Sequence, residues 1–266
     1  MTEWDAANYA LRSGLQAAMA AEVLALVYLA GSERVLDVGC GDGRVTAGIA
    51  SRLPQGSVVG VDASREMVTF AKEHANMPNV EFQAANAADL PFRNEFDLVI
   101  SINALHWIPD SDPPLRGIRA AMKPTGMAQL RLVTDGQRKS LETVIEETRR
   151  APEWARYFKG FRDPYLHVTP EQYAEAAERN GLRVERIHVG SRAWDFQSRQ
   201  NFFASCQVTL VAWTQRLPEA EKGAFINDVL DRYEQVAAER PGEENTFKFY
   251  QMDVKLTPKG LVASSC

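Results

Sequence analysis

The chain has 266 residues, 45% hydrophobic and 24% charged, with a formal net charge of −5. That is the composition of a soluble globular protein of one large domain, or one domain with a sizeable insertion, and the acidic balance argues against nucleic acid as a partner, which calls for a basic surface. The three cysteines, Cys40, Cys206 and Cys266, are widely spaced and form no CxxC pair, so neither a disulfide framework nor a metal site is expected.

The first long apolar run, residues 17–30, is interrupted by Glu22 and is too short to span a bilayer. No basic region precedes it, so it reads as an amphipathic or buried helix of a cytoplasmic protein rather than a leader or membrane segment. From residue 34 the pattern becomes regular. "RVLDVG" (34–39) reads as a buried strand and "GRVTAGIASRL" (43–53) as the helix after it. "SVVGVD" (57–62) is a second strand, followed by the helix "SREMVTFAKEH" (64–74). "VEFQAA" (80–85), "FDLVISI" (96–102) and "MAQLRLV" (127–133) are three more strands. Apolar strands alternating with helices imply an α/β fold with a doubly wound, largely parallel sheet.

Beyond residue 134 the pattern changes. Residues 137–160 look helical and carry Trp154, Tyr157 and Phe158. In "TPEQYAEAAERNGL" Thr169 is placed to cap a helix, Pro170 to open it and Gly181 to end it. A strand is expected near 183–190, mostly helical structure over 198–239, and a last strand from 246 to 256. The chain thus divides into a cap helix and Rossmann-like core (1–134), a largely helical insertion (135–245) that forms a substrate lid, and a final strand with its tail (246–266).

The loop after the first strand is Gly39-Cys40-Gly41-Asp42-Gly43. Glycine permits a sharp turn and close approach of a ligand to the main chain, and the helix behind it offers N–H groups to a polar group. A dinucleotide fingerprint would put a third glycine at position 44, which is Arg44, so a loop for another adenosine cofactor is favoured over a pyrophosphate loop. Asp62, ending the second strand, is placed to take both hydroxyls of a ribose, although an aspartate there can also cap the following helix.

The motifs "VLDVGCGDG", "VVGVDASREM", "NAADLPF", "FDLVISINALHW" and "MKPTGM", in that order over residues 34–133, resemble those of class I S-adenosylmethionine-dependent methyltransferases. The resemblance implies that Asp37, Gly39, Cys40 and Gly41 hold the methionine end of S-adenosylmethionine, that Asp62 and Ala63 take the ribose, that Met67, Asn86 and Ala87 border the adenine, and that Ser101 lies under the methionine portion. Asn86 departs from the usual aspartate; its carbonyl retains the ability to accept a hydrogen bond.

The acceptor is expected to be a small molecule. A carboxylate is already ionised at neutral pH and needs only orientation and partial desolvation, whereas a phenol or alcohol needs a base. His106, just past the fourth strand, is the candidate for that base, and Trp107 for an aromatic wall; packing alone also accounts for either. Trp4, Tyr9 and Gln16 belong to the N-terminal segment, where Tyr9 and Gln16 can share a helix face. The start of the chain, "NALHWIPD", "NFFASC" and "FKFYQMDVKL" look more loosely like the small-molecule carboxyl methyltransferases of the trans-aconitate and juvenile hormone acid type. That likeness implies a substrate site at Gln16 and Trp107, with Tyr9 and Trp4 beside it, and O-methylation of a carboxylate. Methylation of a phenol, amine or carbon, or a cofactor-binding protein without turnover, are the alternatives. The insertion's aromatics, including Trp194, Phe196, Phe202, Phe203 and Trp213, are expected mostly as lid core. A monomer or homodimer is compatible with all of this.

Overall fold

The computed structural model of the chain describes residues 27–260, together with Glu22 and Ala25. Trp4, Tyr9, Gln16 and Cys266 lie outside the described residues, as does most of the apolar run 17–30.

Short strands that are apolar on both faces build the first half of the sheet. β1 (Arg34–Val38), β2 (Ser57–Asp62), β3 (Val80–Ala84), β4 (Phe96–Ile102) and β5 (Met122–Thr134) are joined by parallel pairings. β6 (Leu182–Asp195) and β7 (Thr246–Pro258) complete it, with β7 antiparallel to both β5 and β6, in the order β3-β2-β1-β4-β5-β7-β6. The helices are α1 (Arg44–Ala50), α2 (Arg65–His74), α3 (Asp112–Ala121), α4 (Leu141–Thr148), α5 (Pro170–Arg179), α6 (Arg199–Thr209), α7 (Val211–Thr214) and α8 (Glu219–Ala237). Both sheet faces are covered, which is why β1 lacks a polar alternation. Val35 packs with Ile49 and Ala50 of α1, whereas Leu36 and Val38 join Ile118 of α3 and Ala177 of α5.

Local signals act as the sequence suggests at α5. The Thr169 hydroxyl accepts from the Gln172 N–H and the Gln172 side chain accepts from the Thr169 N–H, a complete capping box, while Gly181 past the end has φ of 76°. Other expectations are corrected. Residues 137–160 are not one helix: α4 stops at Thr148 and a separate 3₁₀ turn spans Ala155–Phe158. β5 starts five residues before "MAQLRLV", and β6 runs on to Asp195 because its whole length pairs with β7. α3 was not foreseen; Pro113 and Pro114 lie in its first turn, where a missing N–H costs no intrahelical bond.

A second core gathers α4, α6, α7 and α8 around Trp213, Phe225 and Tyr233. Several of its buried polar groups are partnered between elements: the Trp213 indole N–H donates to Glu146 (2.9 Å), the Trp154 indole N–H to Asp228 (2.7 Å), and the Tyr233 hydroxyl to the Lys248 carbonyl of β7 (2.8 Å). Trp107, Val133 and Phe247 pack against this cluster. They follow β4, end β5 and begin β7, so the helical cluster stands at the carboxyl ends of the parallel strands, where open α/β sheets bind ligands. Among the described residues no helix is long and apolar enough to cross a membrane.

One ion pair crosses the join between the two halves of the sheet. Arg131 of β5, only 2% exposed, faces Asp253 of β7 in register and donates to it twice, at 2.6 and 2.9 Å. Its remaining arm reaches Glu22 (3.1 Å), which also receives Arg192 of β6 (2.7 Å). Arg131→Met strands the Asp253 charge and is expected to lower stability by about 3–5 kcal/mol in urea denaturation, while Arg131→Met with Asp253→Leu recovers most of the loss. A single variant within about 1 kcal/mol of the parent would show that the pair is not a structural tie.

Candidate functional site

The loop between β1 and α1 turns sharply through three residues of positive φ, Gly39 (79°), Gly41 (52°) and Gly43 (80°). Each glycine answers a different need. A Cβ on Gly39 would stand 2.1 Å from the Ala104 Cβ, and one on Gly43 2.8–2.9 Å from Phe82, Ala71 and Ala75, so both are required by packing. A Cβ on Gly41 would meet nothing within 4 Å, because Gly41 borders a cavity of about 600 Å³. This is the cradle a ligand would fill.

The loop is held by the end of β2. The N–H groups of Gly39 and Cys40 both donate to the Val61 carbonyl (2.8 and 3.0 Å). Asp62 accepts from the Gly41 N–H on one carboxylate oxygen (3.0 Å) and from the Ser64 N–H on the other (2.9 Å). Ser64, not Asp62, caps α2 through the Met67 N–H (3.3 Å). A carboxylate oxygen accepts more than one hydrogen bond, so Asp62 retains capacity toward the cavity it lines.

The structure separates the expected cofactor residues into two sets. Gly39, Gly41, Asp62, Ala63, Met67, Asn86 and Ala87 line the cavity. Asp37, Cys40 and Ser101 stand behind it. Asp37 is buried and accepts from the Thr46 hydroxyl (2.6 Å); burial, with the charge of Asp62 adding, pushes its carboxyl up to about 7 against that hydrogen bond. The Cys40 thiol packs among Val68, Ala71 and Phe82, and burial pushes its pKa well up. The Ser101 hydroxyl donates to the Val38 carbonyl (2.7 Å), tying β4 to β1. Asn86 opens a 3₁₀ turn over Ala87–Asp89, its side-chain oxygen accepting from the Ala88 N–H (2.9 Å).

His106 and Trp107 sit on a 3₁₀ turn (Leu105–Trp107) directly after β4, and both line the cavity. The His106 ring is buried; its Nδ1 accepts from the Val133 N–H (3.3 Å), which leaves the proton on Nε2. Burial pushes its pKa down to about 3, so the ring stays neutral. The Trp107 ring meets Tyr165 edge-on (centroids 5.4 Å apart) and Trp213 at 6.1 Å. Of the insertion's aromatics, Phe196, Phe202 and Trp213 line the cavity, whereas Trp154 and Phe158 are buried in the helical core. Glu142 and Tyr165 also line it and were missed, since nothing in "SLETV" or "DPYLH" marks a ligand contact. Among the described residues, the lining carries two acidic groups, Asp62 and Glu142, and no lysine or arginine.

Known proteins are similar to this chain in sequence and fold. A family model described as a methyltransferase domain covers residues 35–126. A protein of Invertebrate iridescent virus 6 named as a methyltransferase, 235L, is 24% identical over 86% of this chain and 85% of its own. Trans-aconitate 2-methyltransferase of Deinococcus radiodurans is 28% identical over 92% of this chain and 95% of its own. Among solved structures, the YcgJ protein of Bacillus subtilis superposes with a TM-score of 0.66 at 17% identity, over 92% of this chain and all of that one. A Haemonchus contortus phosphoethanolamine N-methyltransferase in complex with S-adenosyl-L-methionine superposes at 0.60 and 17% identity, over 95% of this chain and 56% of that one. A methyltransferase domain thus begins at β1 and relatives named as methyltransferases align along nearly the whole chain, and together they support a class I S-adenosylmethionine-dependent methyltransferase.

Proposed function

We propose that the protein transfers the methyl group to a carboxylate oxygen of a small, largely apolar acid, giving a methyl ester. The observation that carries this is a neutral donor, His106 Nε2–H, beside the Trp107 wall, in a cavity that continues from the glycine loop into an aromatic chamber. When bound, S-adenosylmethionine would supply an electrophilic sulfonium methyl group for transfer to the acceptor oxygen, with the carbon–sulfur electron pair leaving on sulfur. The protein's task is alignment and exclusion of water. Asp62 would take the ribose hydroxyls, the Gly41 main chain would border the cofactor, and Met67, Asn86 and Ala87 would hold the adenine. His106 orients the carboxylate instead of removing a proton, because a ring that remains neutral down to about pH 3 is a poor base. The helices of residues 135–245 act as the lid. Relatives named for trans-aconitate suggest a carboxylate, but a cavity with no described basic residue in its lining suits one carboxylate and an apolar body better than a polycarboxylate.

Asp62→Ala is expected to weaken S-adenosylhomocysteine binding by about 1–3 kcal/mol in calorimetric titration, the loss of charge-assisted hydrogen bonds. Unchanged affinity would remove Asp62 from the ribose. Gly41→Ala adds about 1–2 kcal/mol of left-handed backbone strain and a methyl group at the cradle, so cofactor affinity should fall while a folded protein persists. Normal cofactor binding by folded Gly41→Ala would relocate the cofactor.

The reaction itself is tested with labelled S-adenosylmethionine over a panel of carboxylic acids and phenols; ester formation supports the reading, and transfer to phenols alone retires it. For a methylated acid, kcat/KM should show no limb from His106 or from the acceptor between about pH 5 and 8, since His106 is uncharged above about 3 and a free carboxylic acid ionises near 4. A limb near pH 6.5 that disappears in His106→Gln would make His106 a base after all.

A further inference from the structure

Two residues that line the acceptor chamber carry polar atoms that the protein does not satisfy. The Tyr165 hydroxyl and Glu142 Oε2 are buried without a hydrogen-bond partner, and both residues line the cavity. Tyr165 is only 4% exposed. Elsewhere in the same helical core, indole and hydroxyl groups find partners, as Trp154, Trp213 and Tyr233 do. Leaving a buried polar atom without a partner is costly, so two such atoms on residues lining one cavity mark a place where a ligand completes the hydrogen bonds. The Tyr165 ring stands 5.3 Å from His106 and 5.4 Å from Trp107, beside the residues proposed to hold the methylated group.

We propose that Glu142 and Tyr165 are specificity-determining residues that bind a hydroxyl group carried by the acceptor near its methylated carboxylate. For the acceptor's class this rests on the carboxylate reading above. A hydroxyl fits because it both donates and accepts: it gives its proton to Glu142 Oε2, which accepts in either protonation state, and it receives the Tyr165 O–H. A second carboxylate has no proton to give and faces Glu142 with Asp135 and Asp163, all near enough to Tyr165 to act on its ionisation. An ammonium group loses its hydration among Ile145, Phe202 and Leu210, the apolar part of the wall. Burial keeps Tyr165 protonated and raises the Glu142 pKa, opposed by the Ser140 hydroxyl and the His167 cation, whose ring N–H groups donate to Asp135 and Asp163.

The test uses the full chain loaded with S-adenosylhomocysteine, titrated calorimetrically with octanoic acid, its monohydroxylated isomers, its monoamino analogues and the dicarboxylic acid of equal length. At least one hydroxy isomer should bind about tenfold more tightly than octanoic acid, the effect of one well-placed hydrogen-bonded pair. That ratio should fall towards one in both Tyr165→Phe and Glu142→Leu; being a ratio within each protein, it is insensitive to a general loss of affinity. Equal binding of octanoic acid and every hydroxy isomer overturns the proposal, as does tightest binding of an amino or dicarboxylic analogue, no binding by any ligand, or a ratio that survives both substitutions. Methyl ester formation is followed separately. Hydroxyl preference without ester formation retires the carboxylate reading and leaves the Glu142–Tyr165 site standing.

Discussion

Everything at the site depends on how closely the glycine loop is pressed against its neighbours. Gly39 abuts Ala104 after β4, and Gly43 abuts Phe82 and the inner face of α2, both closer than a side chain allows. Gly60 in β2 makes the same concession, since a Cβ there would stand 2.8 Å from Phe82. The absence of side chains lets β1, β2 and β4 bring their carboxyl ends together at one point. Asp62 then converts contact into fixed geometry by holding the Gly41 and Ser64 N–H groups on its two oxygens. The same carboxylate therefore shapes the loop and faces the cavity.

Behind this wall lies a layer of buried polar groups with no direct access to the cavity. Asp37 is held by Thr46, and Ser101 by the Val38 carbonyl. They brace the strands that carry the lining. This division suits a methyltransferase, because methyl transfer depends chiefly on alignment and alignment requires a rigid backbone. His106 fits the same pattern: its Nδ1 is committed to the Val133 N–H, which fixes ring orientation and tautomer together.

The helical cluster has a different character. Its centre is aromatic, and several of its polar atoms are satisfied in pairs between elements, Trp213 with Glu146 and Trp154 with Asp228. Where it meets the sheet, the packing opens and leaves Tyr165 and Glu142 without partners. The two unpartnered polar groups thus come from residues 135–245, while the glycine-loop end of the cavity comes from the sheet.

The sequence alone determined the alternation of strands and helices through Ile102, the glycine loop, and the position of Asp62 at the end of β2. These are local: apolar runs of strand length, a turn that tolerates only glycine, and a fixed distance along the chain each leave a mark in consecutive residues. Even there, the chain could not show that Ser64 rather than Asp62 caps α2, since both precede the helix. Nor could it separate Gly41, which faces the cavity, from Gly39 and Gly43, which face protein. The tertiary structure alone decided the tautomer of His106, set by an N–H twenty-seven residues away, and the meeting of Glu142, Tyr165 and Trp213 around one cavity. Those residues lie far apart on different elements, and their juxtaposition follows from how the inserted helices pack against the strand ends, which no spacing along the chain records.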